Sequence, residues 1–109
     1  MTLQDEETPI DQEIVNELVG LVPEAWNRVV LEVKYSVDER GEGFEHSISN
    51  PDGHRDLVEP SDAIYAATWE LQELFRKYGG SWTRVTYRVS IEDDGIEYRV
   101  NFDRERDTQ

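Results

Sequence analysis

Cysteine is absent from this chain. That excludes thiol catalysis, disulfide redox chemistry and cysteine-based zinc sites. Histidine occurs only as His46 and His54, which leaves little material for a proton relay. Basic residues are scarce: 11 Lys and Arg stand against 25 Asp and Glu, giving a formal charge of −14 and a pI near 4.3. A field of that sign repels nucleic acid and anionic membranes and favours a basic protein as partner. There is no long apolar run of the kind that spans a bilayer. Met1 is followed by Thr2-Leu3-Gln4-Asp5-Glu6-Glu7, which lacks the basic and apolar parts of a secretion signal, so the expected location is the cytoplasm. The 109 residues suit one domain, 1–109, able to bury roughly two-thirds of its unfolded surface without a disulfide or metal.

What the chain does contain is one unit written twice. Trp26-Asn27-Arg28-Val29 through Lys34 aligns with Trp82-Thr83-Arg84-Val85 through Ser90 at a constant offset of 56. At the same offset Val15, Leu18, Val19 and Val22 fall on Leu71, Leu74, Phe75 and Tyr78. Two copies are too few for a solenoid, so the repeat predicts one closed domain with internal pseudo-symmetry.

Each copy reads as helix, strand, strand. Thr8 as N-cap, Pro9 in the first turn and Asp11 three residues on predict a helix start there, with residues 1–7 frayed. Ile10, Ile14, Val15, Leu18, Val19 and Val22 form an apolar stripe, with Asp11, Glu13 and Glu17 placed off it. Pro23 ends the helix. Val29, Leu31, Val33, Tyr35 and Val37 alternate with polar residues as a strand with one buried face. Phe44, His46 and Ile48 suggest the returning strand. Asn50 to Glu59, with Asn50-Pro51-Asp52-Gly53 as a turn signal, is the longest connection. Pro60-Ser61-Asp62 opens a second helix with Ile64, Thr68, Leu71, Phe75 and Tyr78 inward, flanked by Trp69 and Leu74, and Gly79-Gly80 stops it. Asp93-Asp94-Gly95 marks a tight hairpin between Val85, Tyr87, Val89, Ile91 and Ile96, Tyr98, Val100, Phe102. The tail 104–109 is expected to be flexible. The predicted fold is α+β: αββαββ, with a four-stranded antiparallel sheet and two helices on one face. Glu32, Lys34, Arg84, Arg88, Glu97 and Arg99 would occupy the other face.

Little of this carries chemistry. Asp52, His54 and Asp56 share a loop, but their spacing matches no metal motif and ordinary turn chemistry accounts for them. Ser47, Ser49 and Ser61 lack a nucleophile context, and Ser61 reads as a helix cap. Gly79-Gly80 leads to Ser81-Trp82 rather than to a phosphate loop. No cofactor, metal or catalytic residue is predicted. Trp26 and Trp82 precede strands and can plug the ends of the core or meet a partner. Asp38, Glu39 and Glu42 cluster in one hairpin turn, and Glu92, Asp93 and Asp94 in the other. If both turns meet at one end of the sheet, Asp38, Glu39, Asp93 and Asp94 form a partner-binding surface for a basic cleft. Alternatively they are simply solvated.

Leu21-Val22-Pro23-Glu24-Ala25-Trp26-Asn27-Arg28-Val29 resembles the Ile-Pro-x-x-Trp-x-x-Val segment of the YezG-like antitoxins, a family of bacterial immunity proteins. The second half is similar too: Leu71 to Tyr78, then Ser81-Trp82-Thr83-Arg84-Val85, then Gly95 and a strand ending at Phe102-Asp103. The likeness runs from about Ile10 to Asp103. It departs at Ile96 and Phe102, and Asn50–Glu59 has no counterpart. The resemblance implies a non-catalytic cytoplasmic protein that binds and blocks a secreted toxin domain, often a nuclease. The runner-up is a small adaptor or regulatory subunit whose sheet face or edge strand recruits a peptide. A third reading, a small enzyme, would need a constellation around His46 or His54. Oligomeric state is not predicted.

Overall fold

The computed structural model describes residues 2–104. Its elements are α1 (Leu3–Leu21), β1 (Arg28–Asp38), β2 (Gly41–Ser49), α2 (Asp62–Lys77), β3 (Arg84–Glu92) and β4 (Gly95–Asp103). The sheet order is β2-β1-β3-β4, and every neighbouring pair is antiparallel. The architecture is therefore α+β in the order αββαββ, as the repeat predicts.

The repeat and the strand register agree in detail. In the β1–β3 pair, Leu31 stands opposite Tyr87, its own equivalent at offset 56. Val29 opposite Val89 is mirrored by Val33 opposite Val85. An approximate two-fold axis thus runs through the sheet between Leu31 and Tyr87. The first hairpin is longer: β1 has 11 residues and β3 has 9. Its end projects past the helical layer, which leaves Val37 68% exposed although it has the inward phase.

The core fills the space between sheet and helices. Ile14, Val15 and Leu18 of α1 and Ile64, Leu71 and Phe75 of α2 pack against Val29, Leu31, Val33, Val85, Tyr87 and Val89. Trp26 and Trp82 are buried just before β1 and β3, where each ring closes one end of the core. Gln72 clasps the second of these. Its Nε2 donates to the Trp82 carbonyl at 3.1 Å, and the Trp82 N–H donates to its Oε1 at 3.4 Å.

The first helix starts earlier than the Thr8-Pro9 signal predicts. Thr2 is the N-cap, and Thr2 and Asp5 form a complete capping box. Two reciprocal bonds outweigh the weaker cap at Thr8, whose hydroxyl instead donates back to the Gln4 carbonyl. Pro9 is tolerated inside the helix because tertiary contacts hold the first turns. Leu3 packs on the core, and Glu6 is bonded by Lys77 and Tyr78 of the other helix end. Residues 3–7 therefore belong to α1, and Met1 lies outside the described residues. Of the tail expected to be flexible, residues 105–109 lie outside the described residues. Asp11 is not off the apolar stripe. Together with Ile14, Val15 and Leu18 it keeps the three- and four-residue spacing of one face, and it is buried. Tyr78, placed inward by periodicity, is 41% exposed, because the helix has ended at Lys77.

The second helix follows its sequence signals. Ser61 caps it. Gly79, at φ 83°, turns the chain. Gly79 N–H bonds to the Arg76 carbonyl and Gly80 N–H to the Phe75 carbonyl, which is the paired closure that a glycine permits.

Candidate functional site

Asp38 ends β1 and Glu39 begins the β1–β2 turn, while Asp93 and Asp94 form the β3–β4 turn. All four are exposed, and none forms an ion pair within the described residues. Asp38 Oδ1 accepts the Arg40 N–H at 2.8 Å and shapes its turn. The fold brings Asp38 to Glu39 and Asp93 to Asp94, but it separates the two pairs. The two-fold relation sends the hairpins to opposite ends of the sheet. Asp38 lies seven residues beyond Leu31 and Asp93 six beyond Tyr87, in opposite directions. At ~3.3 Å per residue the turns stand on the order of 40 Å apart. The expectation of one acidic end is overturned.

The outer sheet face carries Arg28, Lys34, Arg84, Arg88 and Arg99 with Glu32 and Glu97. Arg28 pairs with Asp52, Lys34 with Glu32 at 3.8 Å and Arg84 with Asp103 at 3.8 Å. Arg88 and Arg99, opposite each other in the β3–β4 register, form no ion pair among the described residues.

The loop that connects β2 to α2 is anchored by its own polar residues. Asn50, which is buried, donates to the Arg28 carbonyl at 2.8 Å and accepts from the N–H groups of Asp52 and His54. Asp56 accepts from Trp26 Nε1 at 3.2 Å, and His54 stacks on the same ring. Asp52 is engaged by Arg28, which holds its carboxyl below the ordinary range. Each side chain of the Asp52, His54 and Asp56 trio therefore has a loop-fixing role. No group of three metal-ligating side chains is assembled among the described residues.

A surface that sequence reasoning did not single out lies between β2 and α2. Tyr65 packs on His46 and Trp69 on Phe44, both edge to face with ring centroids 4.5 Å apart. Tyr65 is 42% exposed and Trp69 37%, and Leu57 on the adjoining loop is 87% exposed. A cleft of about 550 Å³ opens here, lined by His46, Ile48, Leu57, Val58, Pro60 and Tyr65. The available signal was the helical spacing of Tyr65, Trp69 and Glu73, a stripe adjacent to the core stripe. His46 is held in one tautomer. The Thr68 hydroxyl donates to the Ile64 carbonyl at 2.7 Å, so it accepts from His46 Nε2–H at 3.0 Å. His46 Nδ1 is then a bare acceptor, buried and without a partner. Burial pushes the imidazole pKa down, because charging it would require desolvating a cation.

A second buried ionisable group lies on the other helix. Asp11 Oδ1 accepts from Tyr87 Oη at 2.7 Å. Burial, and secondarily the neighbouring Glu7 carboxylate, push the Asp11 pKa up to about 8, against the lowering effect of the Tyr87 bond.

No family model matches the chain, and no curated protein matches it either. No helix among the described residues is long and apolar enough to cross a membrane.

Proposed function

We propose that this chain is a non-catalytic immunity protein of the cytoplasm that binds and blocks a cognate toxin domain of basic character, such as a nuclease. The observation that carries this reading is uncompensated negative charge. Ion pairs engage Glu6, Glu32, Glu42, Asp52, Glu73 and Asp103, and the other described carboxylates form none. Such a field accelerates encounter with a basic surface and suppresses wrong partners. The resemblance of the Pro23–Trp26 and Trp82–Val85 segments to YezG-like antitoxins supports the same reading. Inhibition is steric, with the negative surface steering approach. Asp38 and Glu39, or Asp93 and Asp94, meet the partner's basic rim.

A second reading is a small adaptor or regulatory subunit, and the open edge of β2 favours it. Capture of partners from the source organism's lysate, washed at moderate salt and read by mass spectrometry, separates the two. The immunity reading expects one stoichiometric basic domain whose toxicity appears when this chain is removed. Recovery of housekeeping subunits, or of no toxin in cells that encode candidates, would move the assignment to the adaptor.

A further inference from the structure

We infer that the free edge of β2 and the aromatic groove beside it receive an extended, basic segment of the partner protein by antiparallel strand addition. The inference rests on the reading of this chain as a binder of a basic protein.

The backbone comes first. Tyr35 N–H donates to the Thr83 carbonyl on the β3 side, so the odd-numbered residues of β1 turn their polar groups toward β3 and the even-numbered ones toward β2. Residues 41, 43, 45, 47 and 49 of β2 pair with those even positions. The N–H and C=O groups of Glu42, Phe44, His46 and Ile48 therefore point out of the sheet. No backbone bond from another described segment reaches them. Edge strands are normally blunted by proline, lysine, a bulge or a cover. β2 has no proline, its only charged residues are the acidic Glu42 and Glu45, and its nine-pair register runs unbroken from Gly41 to Ser49.

The side chains add selectivity. An incoming strand would place alternate residues beside Phe44, His46 and Ile48, beneath Tyr65 and Trp69 and against Leu57. Those positions suit apolar residues. The pseudo-symmetry supplies an internal comparison. At offset 56, Tyr65 and Trp69 correspond to Pro9 and Glu13, so the matching groove between α1 and β4 lacks both exposed rings. The aromatic lining belongs to one half and does not follow from the fold alone.

Charge selects the occupant. Glu45 stands on the outer face of β2, opposite Lys34, whose ammonium lies 3.8 Å from Glu32, and Glu59 lines the cleft. Arg76, the nearest cation on α2, is bonded by Glu42 and Glu73. An added strand therefore carries lysine or arginine at the intervening position beside Glu45, the one carboxylate that β2 presents on its outer face. A second copy of this chain is disfavoured, since two chains of charge −14 repel each other.

The test titrates a short synthetic peptide of alternating lysine and valine into the isotope-labelled protein, followed by amide NMR. The expected result is shifts and exchange protection at Phe44, His46 and Ile48. N-methylation of the valines, whose N–H groups face β2, should weaken binding by about tenfold or more, as loss of several backbone bonds requires, while N-methylation of the lysines should not. Trp69→Ala and Leu57→Ala should weaken binding with the fold unchanged by circular dichroism. Shifts confined to β4 or the outer sheet face, indifference to valine N-methylation, or no binding at millimolar peptide would overturn the strand-addition proposal. A peptide with glutamate in place of lysine that binds β2 equally well would instead overturn the basic-partner reading and leave the edge assignment standing.

Discussion

Leu31 and Tyr87 face each other across the β1–β3 pair and are also each other's equivalents in the repeat. The equivalence is broken at the side chain. Tyr87 carries a hydroxyl where Leu31 has none, and that hydroxyl reaches Asp11 on α1 at 2.7 Å. One polar link thus fastens the first helix to the centre of the sheet, across 76 residues of sequence.

The Asp11 carboxyl makes stability fall with rising pH. Its folded pKa, about 8, lies above its ordinary value of 3.8, so the folded state holds the extra proton between those limits. Stability from this group is complete at low pH and is lost as pH rises toward 8, by up to about 1.4 kcal/mol per pH unit. Asp11→Asn keeps an acceptor for Tyr87 and should flatten that slope. Urea unfolding of both proteins at pH 5.5 and 8.5 checks this, and parallel curves would refute it.

His46 acts in the opposite direction. Its folded pKa is lowered below 6.5, so the unfolded chain takes up the proton first and stability falls as pH drops through 6.5. His46→Gln should reduce the acid-side loss. The imidazole resonances, followed by NMR, should keep the neutral-ring form to a lower pH in the folded protein than in the unfolded chain.

Gln72 is fully buried and bonds both backbone groups of Trp82. Gln72→Met preserves volume and leaves a buried N–H and C=O without partners. The expected cost is about 2–4 kcal/mol, one to two unmet groups' worth, measured by chemical denaturation. Asn16, its equivalent in the first half, is exposed, and Asn16→Ala should change stability by less than about 0.5 kcal/mol.

Removal of residues 2–7 deletes the Thr2–Asp5 capping box and the Glu6 contacts to Lys77 and Tyr78. Loss of the cap alone should cost about 1 kcal/mol. Thermal unfolding should show a melting point several degrees lower. An unchanged value would mean that the N-terminal turns contribute nothing.

Reversing charge at Asp38 and Glu39, or separately at Asp93 and Asp94, should leave the fold intact, since all four are exposed. The two pairs stand far apart, so a compact basic partner should respond strongly to only one reversal. Association rates measured across a salt series distinguish this from equal responses, which would require a partner that spans both ends.

Much of the architecture was legible because periodicity reports burial directly. The inward residues of β1, β3 and α2, the Ser61 cap and the glycine stop are local signals that tertiary packing reinforces. The start of α1 was misread because two capping signals compete, and contacts from Lys77 and Tyr78 favour the earlier one. The burial of Asp11 was misread because a charged residue on an apolar face looks like a boundary. Only the Tyr87 hydroxyl, far along the chain, gives it a place.

The candidate surface divides in the same way. Composition alone sets the charge of −14, because net charge does not depend on arrangement. Arrangement was decided by the antiparallel contact between β1 and β3. Two-fold pairing through Leu31 and Tyr87 sends equal hairpins to opposite ends, so the two acidic turns cannot act as one patch. The same pairing leaves β2 at an edge, beside the only half of the repeat that carries Tyr65 and Trp69. Strand order is fixed by contacts between residues distant in sequence, and it is there that a repeated sequence becomes a molecule with two unlike sides.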